Sequence, residues 1–407
     1  MTSGGRTAVL TTRASGYLRL SPLEIAMGQP LTASSSGLPE PALPAGASAP
    51  RAALREVLAE SFASGQVFVS FSGGRDSSAV LAVAVSVARD MGADLPVPVI
   101  YRYPGDHDAN EDEWQELVLR HVGVTEKIVL EITDQQRLLG TRAQESMARR
   151  GLVWPASVNL QHEMYEVAAG GVLLTGEGGD ELLSGRRSAP LARLKRTLQR
   201  RHRPALHDLR AAGRSVLPQR ATARVEAERV RAGAVPWVRG SARQQFLETV
   251  AEDMVEPLRW DRSIRYAAMQ RPVAKAIYYN LDLVARDYGV QLVHPLLAPT
   301  FVSAWMNDGG ALGVTGRTVA MRRLFSDVLP ERVLARPDKA FFNASRIGPG
   351  ERDFARRWDG TGLDPAHVDP DALRRVWLDP RPLGPSYTPL MAAWMASEGL
   401  PLEGPRS

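Results

Sequence analysis

Val67-Phe68-Val69-Ser70-Phe71-Ser72-Gly73-Gly74-Arg75-Asp76-Ser77-Ser78, running on into Ala79-Val80-Leu81-Ala82-Val83-Ala84-Val85, decides the fold. The β-branched and aromatic run has the signature of a buried strand, the paired glycines that of a tight turn, and the small and branched residues after Ser77 that of a helix. A helix starting here leaves first-turn N–H groups unpaired and points the positive end of its dipole at the loop, which favours an anion. Ser72, Ser77 and Ser78 add hydroxyl donors, while Gly73 and Gly74 let the backbone approach a ligand with no Cβ in the way. Asp76, a carboxylate beside an expected phosphate site, makes chemical sense with Mg²⁺ between the two. The stretch does not read G-x-x-x-x-G-K-[ST], so it gives no support to a γ-phosphate loop of that kind. The plainer alternative is a Gly-Gly turn with a Ser/Asp helix cap.

Outward from this stretch, Leu54, Val57, Leu58 and Phe62 are spaced for an amphipathic helix over 51–62. Strands are expected near 96–101, 127–132 and 172–175, with helices at 111–121, within 134–150 and at 159–169. Alternating strands and helices imply an α/β fold with a doubly wound parallel sheet, whose ligands lie at the carboxyl ends of the strands. The loop after 172–175 reads Gly176-Glu177-Gly178-Gly179-Asp180-Glu181 and by that rule faces the same cleft, with Asp180 the best placed of its acids for Mg²⁺. Beyond Gly185 helical patterns take over. The expected division is therefore an extension or linker at 1–50, a nucleotide-binding core at 51–185, and a mainly helical half at 186–407 with an Arg-rich insertion at 186–245.

A chain of 407 residues, 44% hydrophobic, is long enough for two domains with buried cores. Cysteine is absent, which excludes disulfides, cysteine-ligated metal sites and a cysteine nucleophile. No run of about eighteen apolar residues and no basic-then-apolar start is present, so a cytoplasmic protein without membrane association is expected. The formal charge is +5, yet between Arg186 and Arg243 sixteen basic residues stand against Asp208, Glu226 and Glu228, a local charge of +13. Such a segment suits an acidic peptide, an acyl carrier protein or nucleic acid as partner, and reads equally well as a solvated helical insertion. It lacks aromatic residues from Gly185 to Pro236, so base stacking has no support and no nucleic acid is expected.

The S-G-G-x-D-S sequence at 72–77 resembles the pyrophosphate loop of the ATP pyrophosphatase superfamily, and T-G-E-G-G-D at 175–180 is similar to the second motif of asparagine synthetases, β-lactam synthetases and lasso peptide cyclases. The resemblance covers about 51–345. It implies that Ser72, Gly73, Gly74, Asp76, Ser77, Gly176 and Gly178 surround the pyrophosphate portion of ATP, that Asp76 and Asp180 hold Mg²⁺, and that Tyr101 lies on the strand whose backbone edge receives adenine. Glu177 stands where asparagine synthetases carry a carboxylate and β-lactam synthetases a tyrosine, and a carboxylate there could accept a proton from an attacking amine. The stretch 286–298 resembles the family's helix and loop before P-[FL]-L-D, with Gln291 and Ala298 replacing the usual glutamate and aspartate, which implies a substrate other than aspartate. His294 in that stretch reads as a packed or surface histidine. In 321–342 the pattern of helix, L-P and R-x-x-K-x-x-F implies that Lys339 reaches the adenylate and the departing pyrophosphate. The acids of 106–116 read instead as a solvated helix start.

The resemblance therefore implies a synthetase that uses ATP and Mg²⁺ to join a small-molecule or peptide carboxylate to an amine, in specialised metabolism. The family's glutaminase domain, with its N-terminal cysteine, has no counterpart in Met1-Thr2-Ser3 and the residues up to the loop. The alternatives are a tRNA-modifying enzyme with the same pyrophosphate loop and a non-catalytic ATP-binding partner protein.

Overall fold

The computed structural model describes residues 16–31, 37–46, 48–104, 110–337 and 346–404. Five strands form one sheet: β1 (Val67–Ser70), β2 (Val97–Arg102), β3 (Ile128–Glu131), β4 (Val172–Leu174) and β5 (Gln291–Val293). Their order is β3-β2-β1-β4-β5 and every pairing is parallel. The central strands are apolar on both faces because helices cover both sides, as parallel sheets require. Val69, Val99 and Leu174 are fully buried.

The order reverses at β1, which pairs with β2 on one side and β4 on the other. This is the switch point at which doubly wound sheets open a crevice. The loops after β1 and β4 both enter it, so the sheet alone brings the two glycine-rich motifs together.

The expected division at 185 needs correction. The sheet does not end with the alternation at Gly185, because β5 pairs with β4 through Val172↔Gln291 and Leu174↔Val293. A three-residue strand after the helix Pro272–Asp287 carries too little periodicity to stand out. The main core also crosses position 185: Val80, Leu81 and Val83 of the helix Arg75–Met91 share it with Trp260, Phe301, Trp305 and Phe325. Trp260 and Trp305 meet edge to face at 5.5 Å. The register corrects the reading of Gln291 as well. It pairs with the first residue of β4 and is exposed at the amino end of β5, opposite the crevice.

Within the expected extension or linker at 1–50, the described stretch 16–31 is packed. Helix Pro22–Met27 is closed by a capping box in which the Glu24 carboxylate accepts from Ser21 N at 2.8 Å and from Leu31 N at 2.7 Å. Its buried Ile25, Ala26 and Met27 join Trp237, Trp377 and Met391 in a second, helical core. Trp237 Nε1 donates to Ala26 O at 2.8 Å, and Trp154 Nε1 to Gly28 O at 2.9 Å. Among the described residues no helix is long and apolar enough to cross a membrane.

Candidate active site at the strand ends

The helix Arg75–Met91 begins directly after β1 with Gly74 at its N-cap and no side chain capping the first turn. Its orphan N–H groups therefore face the crevice. Gly73 has φ +84°, a conformation open to glycine, and a Cβ there would lie 2.9 Å from Gln115 Cγ. Ser72 Oγ accepts from Gly74 N at 3.2 Å and lies 3.2 Å from Ser77 Oγ, and Ser77 Oγ donates to Gly74 O at 3.2 Å. These bonds hold the turn open around its own amides.

The second loop packs on the first through its glycines. A Cβ on Gly176 would come within 2.6 Å of Ser77 N, and one on Gly179 within 2.1 Å of Asp76 Cγ. Gly178 has φ +90° and abuts Leu297. Glycine at 176 and 179 is therefore required by the contact between loops, a reason the pattern of either loop alone does not show.

Asp76 and Asp180 are brought together, and Arg317 lies between them. Its Nη2 pairs with Asp76 Oδ2 and its Nη1 with Asp180 Oδ1. Burial pushes the Asp76 carboxyl up from its ordinary value, Arg317 pulls it down, and Asp180 adds to the rise. Burial lowers the Arg317 guanidinium, and the two carboxylates more than reverse that effect. Arg75 also contributes positive charge to Asp76. Asp76 Oδ1 remains buried with no hydrogen-bond partner.

That orphaned oxygen and the neighbouring Asp180 fit a Mg²⁺ ion of the ATP-site type, in which one or two carboxylates hold the ion and phosphate oxygens and waters complete its shell. No group of three or more His, Asp or Glu suited to an all-protein metal site occurs among the described residues.

Glu177 is exposed at the cleft rim, and its N–H donates to Thr175 Oγ1 at 3.2 Å. Burial raises the Tyr165 and Tyr278 phenols and the Glu177 charge adds to both rises, so Glu177 lies within electrostatic reach of these rings. Thr175 Oγ1 is 2.6 Å from His294 Nδ1. Burial lowers His294 to about 4, which keeps the imidazole neutral near pH 7 and agrees with a packed histidine. Tyr101 lies in the carboxyl half of β2, and its hydroxyl donates to Gln161 Oε1 at 3.4 Å. Lys339 lies outside the described residues.

Sequence reasoning missed a second arginine. Arg336 Nη1 donates to Gly73 O at 3.0 Å, and Nη2 pairs with Glu111 Oε1. Both side chains are 5% exposed. The Arg336 guanidinium also lies 4.5 Å from the Trp114 ring centroid, with that of Arg332 at 5.0 Å. Gln115 Nε2 donates to Ser72 O at 3.1 Å. The start of helix Asp112–Val122 is therefore only partly solvated: Asp112 is exposed, whereas Glu111 is buried and grips the loop after β1 through Arg336. The available signal was the arginine that opens R-x-x-K. Arg317 had no comparable signal in a chain with 50 lysines and arginines.

The sheet and its two strand-end loops define an α/β protein of the PP-loop type. The asparagine synthase family model matches residues 51–395, and the chain belongs to that family. Enzymes of this family use ATP, and membership supports ATP-dependent amide-bond-forming ligase activity. No curated protein matches the chain.

Proposed function

We propose that this chain adenylates a carboxylate and passes the acyl group to an amine. A carboxylate oxygen attacks the α-phosphorus of ATP and pyrophosphate leaves. The amine nitrogen then attacks the acyl carbon, the C–O bond to AMP breaks, and the amine loses a proton. The single observation that carries this reading is the juxtaposition of Asp76, with its orphaned Oδ1, and Asp180 at an uncapped helix start.

Ser72, Gly73, Gly74, Ser77, Gly176 and Gly178 would receive the pyrophosphate portion, and Tyr101's strand the adenine. Bound on Asp76 and Asp180, Mg²⁺ would neutralise phosphate charge. Arg317 would then exchange one or both carboxylates for phosphate oxygens, for which its planar fork is equally suited. Glu177 would accept the amine proton, and Lys339 would stabilise charge on the phosphate and acyl oxygens. The substrates belong to specialised metabolism, a small-molecule or peptide carboxylate with an amine. Ala298, in the loop that follows the carboxyl end of β5, supports a carboxylate other than aspartate; Gln291, at the strand's amino end, does not bear on it.

The test is ATP–pyrophosphate exchange with Mg²⁺ across amino acids, aromatic acids, a peptide and a carrier-bound acyl group. Exchange stimulated by one acid is expected, and Asp180→Ala and Lys339→Ala should each abolish it in a folded protein. Near-normal exchange in either variant overturns the role given to that residue.

A further inference from the structure

Among the described residues the large hydrophobic side chains that stand exposed are Met91 and six others, Leu198, Leu206, Leu209, Val216, Leu217 and Val225. All six fall inside the Arg-rich segment. The helices Ala189–Gln199 and Leu206–Val216 pack together as a hairpin. Ala212 and Ser215 are buried, on the packed side of the second helix. Leu206, Leu209 and Val216 recur at spacings of three and seven and so line one face of that helix. That face is open, with Leu206 62% and Val216 56% exposed.

The charge around this stripe is also unmatched. Elsewhere in the segment arginines are engaged: Arg186 pairs with Glu256, Arg239 with Asp369 and Arg243 with Glu228. No ion pair within the described residues involves Arg196, Arg200, Arg201, Arg203, Arg210 or Arg214. Arg210 and Arg214, four residues apart, lie along one edge of the aliphatic stripe. A stripe of aliphatic side chains edged with guanidinium groups is complementary to an amphipathic helix edged with carboxylates.

The hairpin adjoins the cleft. Arg186 Nη1 donates to Glu181 O at 2.7 Å, and Arg193 Nη1 donates to Thr315 O at 3.0 Å, two residues before Arg317. We propose that the hairpin 189–216 docks an acidic protein through an amphipathic helix of that protein, beside the ATP cleft. A second copy of this chain would bring like charge against like. A lipid surface is less well matched, since the hairpin 189–216 has none of the Trp, Tyr or Phe side chains that favour the membrane interface. Docking stands apart from the reaction proposed above. That the docked protein bears the carboxylate rests on that reaction.

The test is run without ATP, so that it reads docking alone and its failure leaves the adenylation assay untouched. A fluorescein-labelled acidic peptide of about 18 residues, with leucine on one face and glutamate beside it, is titrated with the full chain and followed by anisotropy. Binding at about 10 μM is expected, weakened about tenfold by Leu206→Ser/Leu209→Ser and again by Arg210→Ala/Arg214→Ala. A lysine-edged counterpart should not bind. Circular dichroism confirms the fold, and Leu217→Ser replaces the first pair if the hairpin unravels. Binding that ignores both pairs overturns the proposal. So does any of three other results that depend on the same residues in place of peptide binding: capture of phosphatidylcholine–phosphatidylglycerol vesicles, capture of poly(U), or self-association by sedimentation.

Discussion

The strand-end loops and the hairpin 189–216 both use arginine, and they use it in opposite ways. In the cleft Arg317 and Arg336 are matched by Asp76, Asp180 and Glu111, and Arg336 also binds the Gly73 carbonyl. On the hairpin Arg210 and Arg214 stand exposed beside exposed leucine. A buried guanidinium is part of the architecture, because removing it strands a carboxylate in a poor solvent. A solvated one costs the fold almost nothing to lose, so its role is to be found in what it meets.

The largest effect that should follow is from Arg336→Ala, which takes the cation away from a buried carboxylate and is expected to cost about 3–5 kcal/mol in urea denaturation. Arg210→Ala on the hairpin should stay within about 0.5 kcal/mol. Equal losses at the two sites would erase the distinction between them.

Acid should expose the same contrast. His294 is lowered to about 4 by burial, and His162 to about 4 by burial and then by Arg150. Tyr288 bonds to His162 and Thr175 to His294, so both rings are held in packed surroundings. The unfolded chain protonates these residues first, so their contribution is fully present above about pH 6.5 and is lost as the pH falls towards 4. Each is worth at most about 3 kcal/mol by that linkage. Denaturation midpoints between pH 7 and 4 should fall, less steeply in His294→Gln. An unchanged slope would remove His294 from the account.

A smaller effect tests how tightly the loops are packed. Gly179→Ala forces a Cβ into the Asp76 carboxyl and should weaken MgATP binding by at least tenfold, about 1.4 kcal/mol, in calorimetry. Native affinity would show that the contact of the two loops does not shape the nucleotide site.

Much of the cleft was legible because its determinants are local. The run Val67–Phe71, the Gly73-Gly74 turn and the alternation through 172–175 state strand, loop and helix in consecutive residues, and parallel pairing then delivers Asp76 and Asp180 to one crevice. Of the acids at 111–116 only Glu111 departs from the solvated helix start, because burial of a single side chain cannot be judged from local sequence. Asp112 is exposed and Glu111 is buried, one residue apart. Gln291 was misread because register decides which end of a strand a residue occupies, and β5 is too short to announce its own.

By itself the sequence determined the order of elements, the two glycine-rich motifs at 72–77 and 175–180 and the concentration of positive charge in 186–243, since each is written in neighbouring residues. Only the tertiary structure decided that Arg317 meets Asp76 across 241 residues, that Arg336 holds Gly73, that residues 22–27 belong to the helical core, and that the hairpin turns Leu198, Leu206 and Leu209 outward. Local propensity sets where a chain turns and coils. Which distant side chain fills a buried charge or an apolar face depends on how those pieces pack, and packing is a property of the assembled fold.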